Sequence, residues 1–490
     1  MSSQLPIDCF NEIFECLEED KVTLYSCLLV NRLWCRISVK ILWRNIWGFK
    51  CIKVSSQIRN TLISCLPNES KDLLFKNGVF IPTSIPKSPL FNYPSFCEVL
   101  SILDLIIDED LYNKKVSKNQ KFNITPLNRN YLITQEILKM FMKQISLKKL
   151  KYDLDIYGSK IPNFINFPGA KDCLKNLSEI RCNSNIHSEF FYQLSQICHN
   201  IQSLTIEFGI TISDGLKDLI SSQNSLRSLS FMRYDVDGDD DYDDDVYNDD
   251  DDWDDYDDYK HYTKIVSSLT KHSSTLTTLH LRGTVPLSFI SKFTNLKELV
   301  ISFEYETFFI TFKKIQYIIF PHLEILKFVL KCPKVEMIIK FLENNGKNLK
   351  EFHVNKHDKS LNLAIAKFCP NLKSLYTKFN DKLSTLKVIL NNCQKLESIK
   401  ISCGHLEDKK LLEIIAKYSP KSFHELKLRN YEILDSEDLE HFLIVWRTRI
   451  SQKSISFIIS SKNKKNKKLI EKYKKLGVIK KLEYKPELVL

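Results

Sequence analysis

Glycine is scarce in this chain. It supplies 11 of 490 residues, roughly 2% against an ordinary share of about 7%. The closest two, Gly209 and Gly215, stand six positions apart. Phosphate-cradling loops of the GxGxxG and GxxxxGK[ST] kinds, and the GxSxG turn that exposes a nucleophilic serine, need glycines closer than that, so none is present. Cysteine is plentiful, at 14 residues, but the nearest pair, Cys9 and Cys16, are seven apart. With no CxxC there is no zinc, haem or dithiol pattern. No 18-residue window is both uncharged and continuously apolar, which argues against a membrane span. The first apolar stretch carries Asp8, Glu12 and Glu15 and is unlike a secretion signal. Scattered, unpaired thiols suit a reducing compartment, so the expected location is cytosol or nucleus.

Charge is present in quantity and unevenly placed. The formal total is +11, yet residues 235–259 hold 16 aspartates and no base, which leaves +27 on the remaining 465 residues. Residues 462–485 add a second block, eleven lysines against Glu471 and Glu483. The chain reads as a basic body with one acidic insertion and a basic tail. A basic body suits an acidic protein, a nucleic acid or the chain's own acidic segment.

The first fifty residues are strongly apolar. Pro6 stands where a helix would begin, and Ile7, Phe10, Ile13, Phe14 and Leu17 follow at helical spacing. From Thr23 to Ile46 the apolar side chains are too many for one helical stripe. Three short helices cannot hide them all among themselves, so part of this surface should meet a partner or the rest of the chain.

The residues Leu5-Pro6-x-Asp8-x-Phe10-x-x-Ile13-Phe14-x-x-Leu17, then Leu24-x-x-Cys27-Leu28-x-Val30-Asn31-Arg32-x-Trp34 and the closing Leu42-Trp43, resemble an F-box over about residues 4–47. Asp8 stands where the family more usually has Glu. The resemblance implies docking on a Skp-type adaptor and, through it, on the cullin scaffold of a RING ubiquitin ligase. Carried over position by position, it implies that Leu5, Pro6, Ile13, Leu17, Leu24 and Leu28 face the adaptor, with Trp34 and Trp43 packed inside.

From about residue 147 onward the pattern apolar-x-x-apolar-x-apolar recurs. Clear copies begin at Leu177, Ile201, Leu226, Leu276, Leu296, Leu323, Leu349, Leu372, Leu396 and Phe423, with weaker ones at Leu147 and Gln452. The steps average about 25 residues once a single step of 50 is set aside, inside the leucine-rich-repeat range. That long step equals one repeat plus the 25 residues of 235–259, so the acidic block is an insertion in a regular array. Stretches 335–342, 361–368, 383–390 and 411–418 have helical periodicity, and Pro370 and Pro420 close two of them. The expected fold is α/β: a three-helix F-box, then a solenoid with a curved parallel sheet inside and helices outside. This half resembles the leucine-rich-repeat region of F-box proteins. The expected organisation is 1–47 F-box, 48–146 helical linker and 147–490 solenoid. Within the linker Pro82, Pro86, Pro89 and Pro94 mark a loop, and helices are expected near 96–107 and 133–145. In the tail, Leu469, Ile470, Tyr473 and Leu476 fall on one helix face, read as the last outer helix and cap.

Within the motif, the residue between the last two apolar positions points onto the open strand face. It is Lys151, Arg181, Thr205, Ser230, His280, Val300, Lys327, His353, Tyr376, Lys400 and Lys427 along the array, never an acid, and Lys378 and Arg429 follow two of the motifs; the candidates among them are Arg181, His280, Lys327, His353, Tyr376, Lys400, Lys427, Lys378 and Arg429. These nine are the candidate substrate-binding residues, and their positive bias suits an acidic protein substrate. The acidic insertion is either a solvated loop or a segment that folds over this face and competes with substrate. A calcium site is disfavoured because Gly238 stands two places too early for an EF-hand. His353 and His357 lack an HExxH context, and His187-x-Glu189 lacks the Pro-Cys-x-x-Cys of zinc deaminases. No catalytic, metal or cofactor site is expected. The expected function is the substrate-recognition subunit of an SCF-type ubiquitin ligase. The alternative is a repeat scaffold outside ubiquitination, and nucleic-acid binding is disfavoured by the acidic insertion.

Overall fold

The structure is a computed structural model that describes residues 6–48, 52–79, 89–106, 126–153, 161–209, 211–233, 265–283, 287–379, 383–403, 408–429, 436–449, 453–459 and 466–484. The acidic insertion, Leu5, Pro82 and Pro86 lie outside them. The chain divides into two compact units, Met1–Leu226 and Arg227–Leu490.

The first unit opens with three helices, α1 (Ile7–Glu15), α2 (Lys21–Cys27) and α3 (Arg32–Arg44). The Asp20 side chain accepts the Thr23 N–H at 3.0 Å and that of Asn31 accepts the Trp34 N–H at 2.9 Å, so α2 and α3 each begin on a side-chain cap. Phe14, Leu24, Cys27, Ile37, Ile41 and Leu42 form the buried cluster among them. Phe10, Leu17, Leu28, Leu33, Trp34 and Trp43 pack on its edge. The Trp34 ring stands edge-on to Phe14 at 5.2 Å. Two further helices, α4 (Ile52–Ser64) and α5 (Asn68–Lys76), precede the first strand.

That strand, β1 (Val99–Ser101), lies inside the stretch 48–146 read from the sequence as a helical linker. It pairs in parallel with β2 (Lys149–Tyr152), which pairs with β3 (Glu179–Asn183) and then β4 (Ser203–Phe208). Leu100, Leu150, Ile180 and Leu204 stand opposite one another in that register. Cys97-x-x-Leu100-x-Ile102 has the repeat spacing in the sequence itself. The expected helix near 96–107 is confined to Ile102–Ile106, while that near 133–145 is the helix Pro126–Gln144. Gly169 adopts φ +87°, and a Cβ there would sit 2.5 Å from the Met142 carbonyl oxygen. The chain enters the helix Ala170–Leu174 through a gap that only glycine fits.

The second unit contains β5 (Ser228–Arg233), β6 (Thr278–Arg282), β7 (Glu298–Ser302), β8 (Ile325–Phe328), β9 (Glu351–Val354), β10 (Ser374–Phe379), β11 (Ser398–Cys403), β12 (Glu425–Arg429), β13 (Ile455–Ile459) and β14 (Ile479–Tyr484). Each is parallel to the next in chain order. The second apolar residue of each motif is in register with that of its neighbour, from Leu229 and Leu279 through Leu299, Leu326, Phe352, Leu375, Ile399 and Leu426 to Phe457. All nine are buried. The weak copy framed at Gln452 is therefore two residues early, since Phe457 and not Ile455 takes the central place. Helices Val335–Asn345, Lys359–Phe368, Ser384–Asn392, Asp408–Tyr418 and Ser436–Thr448 alternate with the strands.

One strand and one outer element per repeat, with register kept from rung to rung, define a leucine-rich-repeat solenoid. The tail helix Lys467–Lys475 ends before Gly477 at φ +72° but is not the last element, because β14 follows it. Ile479-x-x-Leu482-x-Tyr484 carries the repeat spacing too.

Buried side-chain amides stitch neighbouring repeats. Gln223 accepts the Ile201 N–H at 2.9 Å and donates to the carbonyls of Cys198 and Leu219, both at 2.8 Å. In the second unit Asn345 accepts the Phe320 N–H at 2.7 Å and donates to Ile318 O at 2.9 Å and Phe341 O at 3.2 Å. Each lies at the end of an outer helix and satisfies backbone groups of the repeat before it.

Candidate functional site

Two surfaces carry the residues singled out in the sequence. The first is formed by α1, α2 and the turn after α2. Ile7 is 58% exposed, Ile13 50%, Val22 79%, Tyr25 65%, Leu29 82% and Val30 56%. Scattered exposed apolar residues are ordinary on a protein surface, but six large ones within 24 residues are a dense cluster in the sequence. Val22, Tyr25 and Leu29 are three and four apart, so they share one side of α2 and its turn. Leu24 and Cys27 take the opposite side and are buried.

The carried-over adaptor positions are divided by this geometry. Pro6 is exposed at the N-terminus of α1 and Ile13 is half exposed, whereas Leu17 and Leu28 are partly covered by the helical cluster. Leu24 is fully buried in the cluster among the helices, on the side of α2 that Cys27 shares. Val22, Tyr25 and Leu29 form an apolar i, i+3, i+7 series in the sequence that the family pattern does not include. The face is held firmly. Arg44 at the end of α3 closes on Glu15 at the end of α1, and Lys21 Nζ donates to Asn45 O at 3.0 Å. Trp47 Nε1 donates to the Val99 carbonyl at 2.8 Å, which fastens the segment after α3 to β1.

The second surface is the open strand face. The expected middle positions are in register within each unit: Lys151, Arg181 and Thr205 in the first, and Ser230, His280, Val300, Lys327, His353, Tyr376, Lys400 and Lys427 in the second. The positive bias expected from that row is an overcount. Strand alternation puts residues two positions away on the same face, and several of these are acids. Arg181 meets Asp153 at 3.5 Å and also contacts Glu207. His280 Nε2 is 3.2 Å from Glu298, Lys327 is 2.9 Å from Glu351, and Lys427 is 2.7 Å from Glu425. Burial pushes the carboxyls of Asp153 and Glu207 up, and the Arg181 charge pulls both part of the way back.

His353 and Tyr376 are not open polar contacts. Both are buried, ring edge to ring face at 4.1 Å, with the Tyr376 hydroxyl 3.3 Å from Asn355 Oδ1 and Lys400 Nζ 4.7 Å above the tyrosine ring. Lys378 follows on β10 and is partly exposed. Arg429 ends β12, and its side chain lies outside the described residues. The face is thus a mosaic of paired charges around a packed aromatic centre. Among the described residues no group of histidine, cysteine or acidic side chains is arranged to hold a metal, and no helix is long and apolar enough to cross a membrane.

No protein-family description matches the chain, and no curated protein does. Among solved structures it is similar to a chain of the yeast complex of Rad7 and Elc1, at 13% identity and a TM-score of 0.39, over 94% of this chain and 87% of that one. So loose a superposition gives no functional argument, and the reading below rests on the residues.

Proposed function

We propose that this chain is the substrate-recognition subunit of an SCF-type ubiquitin ligase. The F-box-like helices α1–α3 dock on a Skp-type adaptor that joins a cullin scaffold, and the repeat strands hold a protein substrate. The observation that carries this reading is the apolar face of Ile7, Ile13, Val22, Tyr25, Leu29 and Val30, left uncovered by a helical cluster whose own core is complete. The chain performs no chemistry itself; holding a substrate beside the transfer machinery raises its effective concentration there. Its place of action is cytosol or nucleus.

The test is co-purification of the full chain with a Skp-type adaptor, comparing wild type with Leu29→Asp. Leu29 is 82% exposed, so the substitution spares the fold, yet in the docked state it buries an unpaired charge. Loss of the adaptor supports the proposal. Retention of the adaptor by Leu29→Asp and by Val22→Asp rejects this face as the contact. Adaptor binding with no substrate stabilised on deletion of residues 4–47 would favour a repeat scaffold outside ubiquitination.

A further inference from the structure

Beside the strand face, at the edge where the strands of the second unit begin, lies a cleft of about 430 Å³. Its wall is a column of residues that each follow the first leucine of a repeat. Lys297, Glu324, Lys350 and Lys373 occupy it in successive repeats, with Glu397 next in line. The column is rigid. Glu324 N donates to Lys297 O, Lys350 N to Glu324 O, Lys373 N to Lys350 O and Glu397 N to Lys373 O, all between 2.7 and 2.8 Å. A second column, one residue before each leucine, closes the other side. There Asn348 Nδ2 donates to Pro321 O at 2.8 Å and Asn371 Nδ2 to Lys347 O at 2.9 Å, and Lys395 occupies the corresponding place in the following repeat.

The charges do not cancel. Lys350 pairs with Glu324 at 2.7 Å and Lys373 with Glu397 at 3.0 Å. Lys297 and Lys395, at opposite ends of the cleft, are exposed and have no ion-pair partner among the described residues. Two cations are therefore left over around a hollow lined by His322, Asn348, Asn371 and Pro321 together with the stems of its lysines. Lys350 and Lys373 immediately precede the adjacent strands β9 and β10, whose spacing is about 4.8 Å along the hydrogen-bonding direction. Both side chains are half exposed and can turn from their carboxylates onto a shared anion.

We propose that this cleft binds a phosphate group. The lysines around the cleft outnumber the carboxylates they pair with by two, an excess that favours an anion, and Lys350 and Lys373 supply charge-assisted hydrogen bonds to the phosphate oxygens. The phosphate is borne either by a phosphorylated side chain of a protein segment or by a small phosphate ester. This site does not depend on what α1–α3 bind.

The test uses the full chain, with inorganic pyrophosphate titrated calorimetrically and a neutral-flanked phosphoserine peptide, alongside its unphosphorylated form, followed by fluorescence anisotropy. Saturable binding of either phosphate probe is expected, weakened roughly tenfold or more by Lys350→Gln/Lys373→Gln and unchanged by Lys171→Gln/Lys217→Gln on the other unit. Binding of pyrophosphate assigns the site to small esters as well, and binding of the phosphopeptide alone assigns it to a protein segment. Failure of both probes to saturate, or an equal loss from the two double variants, overturns the proposal.

Discussion

Arg44 donates both terminal guanidinium nitrogens to the Glu15 carboxylate, at 2.5 and 2.6 Å, across 29 residues of sequence. This fork joins the last turns of α3 and α1, which frame the exposed apolar face, and it fixes their orientation more narrowly than packing alone would. The hydrogen bond from Arg44 holds the Glu15 carboxyl below its usual range. A lowered folded value makes the pair stabilising above the ordinary glutamate pKa of about 4.3, with that contribution lost as pH falls through the folded value. Glu15 is 41% exposed, so solvent screening limits the pair to about 0.2–1 kcal/mol. Glu15→Gln should lower the thermal midpoint slightly at pH 7 and not at pH 3, as followed by circular dichroism.

Arg181 behaves differently because its partners are more deeply placed. Removing it by Arg181→Ala leaves Asp153 and Glu207 without their main compensating charge, and their already raised carboxyl pKa values rise further. A carboxyl raised in the folded state loses stability as pH climbs from its unfolded value through its folded one. The variant should therefore lose more stability than wild type between about pH 4 and pH 7. Urea titrations at both pH values measure the difference, and equal slopes would refute it.

Asn345→Ala should cost about 1–3 kcal/mol in chemical denaturation, because the Phe320 N–H loses its acceptor inside the array. Asn345→Asp, which keeps an acceptor there but loses both donated bonds and buries a charge, should be at least as damaging.

The thiols should sort sharply by burial. Burial pushes Cys173, Cys198 and Cys393 up to about 12, and Cys182 and Cys369 higher still. Cys9 and Cys16 are exposed. Alkylation of the native protein followed by mass spectrometry should modify Cys9 and Cys16 within minutes. Cys173, Cys182, Cys198, Cys369 and Cys393, all buried, should react only after denaturant is added.

Much of this architecture could be read from spacing alone, because each repeat obeys the same local rule. Leucines such as Leu326 and Leu375 are inward wherever the motif occurs, and the strand register follows from that. What escaped was of two kinds. The motifs of β1 and β14, Cys97-x-x-Leu100-x-Ile102 and Ile479-x-x-Leu482-x-Tyr484, have the same apolar spacing, but the first stands two repeat lengths before the next copy and the second follows a lysine-rich helix. On the strand face, single positions were counted without their partners. The Lys327–Glu351 pair joins residues of different strands, and such compensation becomes visible only when strands are set side by side. The placement of Leu24 turned on helical phase. One residue separates a side chain in the core from Tyr25, which is 65% exposed, and a family pattern read as a list of positions does not settle that.

The asparagines that precede repeat leucines have a consequence of their own. Asn348 fastens to Pro321, and Asn371 fastens to Lys347, each in the rung immediately before. Each of these two ties spans a single step of the array, so excising one whole rung would present the cut ends with an equivalent carbonyl and amide. An array held this way can be lengthened or shortened over generations in integral steps, with every intermediate a foldable protein. Its reach can be retuned to a bulkier or slimmer guest without redesigning the parts that remain.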